Sequence, residues 1–200
     1  KLNPLVQPDT KSFLLIIVAI SSLLFVSGVP IKYLIGAVLS CIILVAILAY
    51  TTPYLQARIK TFIDPSSDQS GASYQLKQSL IAIGSGGLVG RGLGQSVQKF
   101  SYLPEPQGDS IFSVIGEEFG FIGSFFVVLL YILFAFRGFR IANRAPDQFS
   151  RLLVVGIVIL IVFQSFLNIA SITGVFPLTG VPLVFMSQGG TSLLLSLIMV

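Results

Sequence analysis

The chain has 200 residues, 54% hydrophobic and 10% charged, with a mean hydropathy of +0.93, a balance that excludes an ordinary soluble domain and points to an integral membrane protein. There is no histidine, so the commonest general base and metal ligand are missing and any acid–base chemistry falls to carboxylates. The net charge of +4 comes from dispersed Lys and Arg, with no basic run interleaved with aromatics, and gives no reason to expect nucleic acid as a partner.

A membrane-spanning helix needs about 20 mainly apolar residues. The opening "KLNPLVQPD" has neither an initiator Met nor a signal-peptide pattern, and the chain reads as a fragment of a longer bundle. Ser12 to Val29 predicts a first span and Tyr33 to Ala49 a second, joined by the turn "GVPIKY" that carries Lys32. Lys11 marks the membrane interface beside Asp9. The single cysteine, Cys41, has no partner for a disulfide or a thiol–metal site and reads as a small buried apolar side chain.

From about Pro53 to Ser110 runs a loop far longer than the ~12–15 residues of a plain connector. Within it "ARIKTFID" and "YQLKQSLIAIGSGGLVG" repeat apolar residues at helical spacing, predicting short interfacial or re-entrant helices. The glycine-rich "GSGGLVGRGLGQS", Gly84 to Ser96, fits neither G-x-G-x-x-G nor G-x-x-x-x-G-K-[ST] and follows no strand, so no nucleotide site is predicted. Two readings stay open for it: a tight re-entrant turn against neighbouring helices, or a site for a lipid pyrophosphate with Arg91 or Lys99 supplying charge.

The stretch "LPEPQGDSIF", Leu103 to Phe112, places Glu105 and Asp109 at the mouth of a third span, Ile111 to Phe136. Asp109 and Ser110 are both suited to cap that helix. Ser113, Gly116, Glu117 and Gly120 follow Asp109 at helical spacing, and ionisable groups in a span face a bundle interior or a wet cavity, so a polar cleft is predicted beside this helix. Gly116 and Gly120 also form a G-x-x-x-G pair suited to close helix packing. Glu117 and Glu118 point about 100° apart and cannot serve one site as a paired acid and base; one of them reads as a bond to a neighbouring helix.

Arg137, Arg140, Arg144 and Arg151 crowd the short connection to a fourth span, Leu152 to Thr173, which makes that turn cytoplasmic. Counting back sends the large loop, the "QPD" at residues 7–9 and "GVFPLTGVPLVFMSQGG" to the external side. Gln164 and Asn168, at i and i+4, are expected to bond between helices. Ser192 to Val200 opens a last, truncated span. The fold class is therefore all-α: one membrane domain, a polytopic helix bundle with a large extracytoplasmic loop.

The run from Tyr74 to Gly123, "YQLKQSLIAIGSGGLVGRGLGQSVQKFSYLPEPQGDSIFSVIGEEFGFIG", resembles the FtsW, RodA and SpoVE group of the SEDS family, with its FtsW members nearest in pattern. The resemblance extends to "QPD", to "RIKTFIDP" and to "TGVFPLTGVPLVFMSQGGTSL". Three places depart from the family's usual pattern: Lys11 replaces a Gly after "QPD", Gly108 a frequent Thr, and "LVFMSQGG" the common "LPFISYGG".

The resemblance implies a peptidoglycan glycosyltransferase that polymerises lipid II in the bacterial cell membrane. It also implies a multi-pass protein with an extracytoplasmic active face, working with a class B penicillin-binding protein as transpeptidase and with other divisome or elongasome membrane proteins. The family's essential aspartate falls on Asp109, the expected general base. Candidates for substrate contact are Arg58, Lys77, Arg91 and Lys99, which would supply charge at the pyrophosphate, together with Glu105, Glu117, Ser187 and Gln188. No cofactor is assigned, and a divalent cation, Mg or Mn, shared by Asp109 and the phosphates would suit hard oxygen ligands. The alternative is a transporter that moves lipid II across the bilayer. A transporter places polar groups at the midplane of several spans, whereas here they cluster near the external face.

Overall fold

A computed structural model describes residues 10–51, 53–63 and 71–200, and all regular structure among them is helical. The elements are α1 (Thr10–Val26), α2 (Ile31–Thr51), α3 (Pro53–Ile63), α4 (Ala72–Gly86), α5 (Val97–Ser101), α6 (Ile111–Ala142), α7 (Gln148–Ile172) and α8 (Gly190–Met199). The "QPD" segment and the side chain of Lys11 lie outside the described residues.

Helix ends depart from the limits of the apolar runs because backbone geometry, rather than hydropathy, sets them. α1 stops at Val26, short of the expected Val29, where Gly28 takes a φ of 85° and Pro30 leads into α2. α6 runs past Phe136 through Arg137 and Arg140, cations that suit a helix C-terminus, and the Arg140 guanidinium lies 4.6 Å over the Phe136 ring. α7 begins at Gln148 because Asp147 caps it, accepting from the Ser150 N–H and the Ser150 hydroxyl, both at 2.8 Å. Those bonds hold the Asp147 carboxyl below the usual carboxylate range. The cap's contribution is thus present at neutral pH and is lost as pH falls through the lowered value.

α6, with 32 residues, and α7, with 25, are long and apolar enough to cross a membrane. They pack closely where Gly138 meets Val158, and α1 lies on α7 with Leu23 against Gly156. α6 is not continuous: Gly120 takes φ 65°, ψ −160°, dividing a short leading segment from residues 121–142. The second part alone rises about 33 Å, the thickness of a hydrocarbon core.

Between α7 and α8, Pro177, Pro182 and the positive-φ Gly174 and Gly180 prevent a helix, yet Leu178, Val181, Leu183 and Val184 are buried. Buried backbone has to be paired. The carbonyls of this re-entrant segment accept from side chains: Leu178 from Arg58, Val181 from Asn168 (2.6 Å), Pro182 from Gln164 (3.2 Å) and Val184 from the Tyr131 hydroxyl. The Leu183 N–H donates to Ser187 Oγ at 2.7 Å, and the Leu183 side chain joins Phe112, Val127 and Tyr131 in the core. Gln164 and Asn168 therefore bond this segment's backbone and not a neighbouring helix, correcting the interhelical expectation. Tyr131→Phe should lower stability by about 1–2 kcal/mol, since it leaves the Val184 carbonyl buried without its donor. The thermal unfolding midpoint in detergent would register the loss.

Candidate active site

The glycine-rich segment explains itself through Gly120. An unbroken helix would bond the N–H of Phe121 to Glu117 O and that of Ile122 to Glu118 O. The break separates both pairs, and the chain from Gly87 to Gly92 enters the gap. Phe121 N donates to Gly87 O (2.9 Å) and Ile122 N to Leu88 O (3.2 Å), while Arg91 N donates to Glu117 O (2.9 Å) and Gly92 N to Glu118 O (3.0 Å). Contact this close needs residues without a Cβ: one on Gly120 would stand 2.7 Å from Leu88 O, and one on Gly90 would collide with the Glu118 carbonyl. The segment forms a tight turn against neighbouring helices, the first of the two readings of the glycines. The N–H groups of Gly90, Arg91 and Gly92 are all spent on carbonyls, so they form no phosphate cradle.

Glu117 belongs to the same device. It is wholly buried and accepts from Ser96 Oγ (2.6 Å), Val97 N (3.1 Å) and Gln98 N (3.3 Å) at the start of α5, with Arg91 3.6 Å away. Its oxygens are engaged internally, and it stands apart from Asp109 as a brace. Ser113, Gly116 and Gly120 are likewise buried, Gly116 against Ile83 of α4. The polar cleft expected along this face is filled by α4 and the glycine segment. Glu117→Ala should cost about 1–3 kcal/mol by orphaning the buried Ser96 hydroxyl and two part-buried N–H groups, visible as a lower unfolding temperature and faster proteolysis between Gly87 and Ser101.

Asp109 sits elsewhere, just before α6. Ser110 occupies the N-cap position without a side-chain cap bond, and no capping bond by Asp109 appears among the described interactions. Asp109 Oδ1 accepts from Gln75 Nε2 of α4 at 2.9 Å, and the Asp109 carbonyl accepts from Asn168 Nδ2 of α7 at 2.7 Å. Its Oδ2 faces Gly180 of the re-entrant segment. A Cβ on Gly180 would stand 3.4 Å from that oxygen and 3.9 Å from Arg58 Nη2 of α3. Gly180 has a φ of 66°. A carboxylate oxygen and a guanidinium thus converge on a bare stretch of backbone. That pairing suits proton acceptance from a hydroxyl beside an anionic group.

Of the residues singled out in the sequence, Asn168 and Ser110 bond Asp109, and among the substrate-contact candidates Arg58 shares the Gly180 backbone with it. Glu105 shapes the preceding turn with a φ of 46°, its carbonyl accepting from Gly108 N at 3.0 Å. Gln188 N donates to Gln107 O at 2.7 Å, tying that turn to the re-entrant segment, and Ser187 is buried within the segment. Lys77 is exposed on α4. Lys99 lies in α5, its ammonium 5.5 Å from the Phe100 ring centre. Gln75 and Gly180 carry the site without having been picked out. Among the described residues no three His, Cys, Asp or Glu cluster, and Asp109 Oδ1 is engaged by Gln75, so a divalent cation at Asp109 would rest on Oδ2 and on oxygens of the substrate.

This is a helical membrane protein whose polar residues gather at one end of α6 and α7, the end opposite the arginine-rich turn. The chain belongs to the FtsW/RodA/SpoVE family, whose model, described as a cell cycle protein, matches residues 2–200. It is 42% identical over 194 residues to stage V sporulation protein E of Bacillus subtilis, covering 97% of this chain and 53% of that protein. It is 40% identical over 193 residues to a probable peptidoglycan glycosyltransferase FtsW of Geobacter sp., covering 96% and 53%. The chain spans about half the length of these curated relatives. A solved peptidoglycan synthase complex, described as coordinating polymerization and crosslinking, superposes with a TM-score of 0.76 at 27% identity, over 98% of this chain and 54% of its own.

Proposed function

We propose that the complete protein is a peptidoglycan glycosyltransferase that polymerises lipid II, with Asp109 as its general base. The carrying observation is the placement of Asp109, with Oδ1 held by Gln75 and Oδ2 turned toward Gly180 and Arg58. The names of the curated relatives support the reaction class. In the step envisaged, the 4-hydroxyl of the acceptor sugar attacks the anomeric carbon of the donor. Its proton passes to Asp109, and the bond to undecaprenyl pyrophosphate breaks with that group leaving as an anion. One displacement converts the α-linked donor into a β-linked product. Two phosphates already make a good leaving group, so one carboxylate suffices where glycoside hydrolysis uses two. Arg58 is the cation we assign to the departing charge, on the strength of its approach to Gly180.

The same reading makes the protein a multi-pass component of the bacterial cell membrane with Asp109 on the extracytoplasmic side. Its partner is a class B penicillin-binding protein that crosslinks the strands, as the peptidoglycan synthase likeness supports. The transporter alternative loses ground because Gln164 and Asn168, the polar groups deepest in α7, are bonded to re-entrant backbone and not open to a solute. The test is electrophoresis of glycan strands made from lipid II by the full-length protein with its transpeptidase. Strands support the polymerase. Their absence, with lipid II still crossing vesicle membranes, would favour the transporter.

A further inference from the structure

The geometry points to Gln75 as a positioning residue that selects Oδ2 of Asp109 as the reacting oxygen; this rests on the reading of Asp109 as the base. The Gln75 amide has two hydrogens, and both are used, on Asp109 Oδ1 at 2.9 Å and on Ser110 Oγ at 3.0 Å. A carboxylate accepts only, so the nitrogen of the amide is the end that faces Asp109. The single Ser110 hydroxyl hydrogen has Pro104 O at 3.2 Å or Asp109 Oδ1 at 3.3 Å to donate to, which closes the local network. Oδ1 is thereby fixed and the carboxylate plane cannot rotate freely. Oδ2 is left aimed at Gly180.

Gln75 is itself held still. It lies in the first turn of α4, its N–H on Gly71 O at 3.0 Å, between the buried Ser73 and Leu76. α4 runs beside α6 so closely that a Cβ on Gly86 would collide with the Gly116 carbonyl. Asn168 fixes the Asp109 main chain from α7 at the same time. The side chain and backbone of one residue are therefore held by amides from two helices. The charged groups around it are Arg58 of α3 and, in its own turn, Glu105; α4 and α7 contribute uncharged Gln75 and Asn168.

A residue that orients the base without touching substrate affects turnover and leaves binding alone. Gln75→Met keeps length and packing while removing the donor. In the full-length protein with its transpeptidase, we expect kcat for glycan synthesis to fall about 10- to 100-fold, with KM for lipid II and the unfolding midpoint near the wild-type values. Asp109→Asn is measured in parallel. If it is inactive while Gln75→Met turns over like wild type, the positioning role is overturned and the base reading stands. If Asp109→Asn is fully active, both fall. A raised KM with unchanged kcat would make Gln75 a substrate contact and also overturn the proposal. So would a kcat loss matched by a large drop in unfolding temperature and restored by cooling.

Discussion

Asp109→Asn in the complete protein, assayed with its transpeptidase, is expected to reduce glycan polymerisation by at least about a hundredfold, the scale on which general-base catalysis operates. The substitution is nearly isosteric, and the site can absorb it. The amide oxygen can still accept from Gln75, and the main-chain carbonyl keeps its bond from Asn168. Folding and lipid II binding should persist, so the loss falls on kcat. What disappears is an oxygen facing Gly180 that can take a proton. Asp109→Glu is a useful companion, because it keeps the acid but pushes it into the space beside Gly180, where 3.4 Å separates Oδ2 from an added Cβ position. Strand synthesis by Asp109→Asn at the wild-type rate would remove Asp109 from the base role.

Gly120→Ala is expected to be among the most damaging single methyl groups in the described structure. Its φ of 65° with ψ −160° is a conformation almost confined to glycine, at a cost of roughly 1–3 kcal/mol for another residue. The new Cβ would also meet Leu88 O at 2.7 Å and collide with Gly90 N. Overpacking adds about 1–3 kcal/mol, and expelling the Gly87–Gly92 chain would break the bonds that bridge the gap in α6. The combined effect should prevent recovery of monodisperse protein on size exclusion in detergent. Gly84→Ala is the control, since it lies in α4 with open space around it and should be neutral or slightly stabilising. Equal behaviour of the two would mean that the insertion does not hold α6 together.

The two substitutions also mark what could be read without coordinates. Asp109 was legible because a carboxylate at the edge of an apolar span is costly and calls for a reason. The helical class and the long α6 and α7 followed from hydropathy alone. The glycines were visible as a cluster, but their partner was not: a backbone that fills a gap in another helix through N–H and C=O groups leaves no side-chain signature. The same limit hid Gly180. Gln75 was passed over because one amide in a short helix reads as ordinary surface, and only folding brings it to a residue 34 positions away. Glu117 carried two readings, a cleft group and a bond to a neighbouring helix, and its bonds match the second. A buried acid beside a glycine pair looks like machinery, and here it satisfies the start of α5.

The re-entrant segment bears on how freely this region can vary. Arg58, Tyr131, Gln164 and Asn168 grip it by its carbonyls. A carbonyl is present whatever the side chain. Val184 stands where the family's usual pattern has proline, and its oxygen still receives the Tyr131 hydroxyl, an attachment that a proline would serve equally well. A substitution at Val184 can therefore be accepted without loosening the floor beneath Asp109, whereas Leu183 and Ser187 are held by their side chains. Drift should instead be resisted at the gripping residues, which lie in α3, α6 and α7.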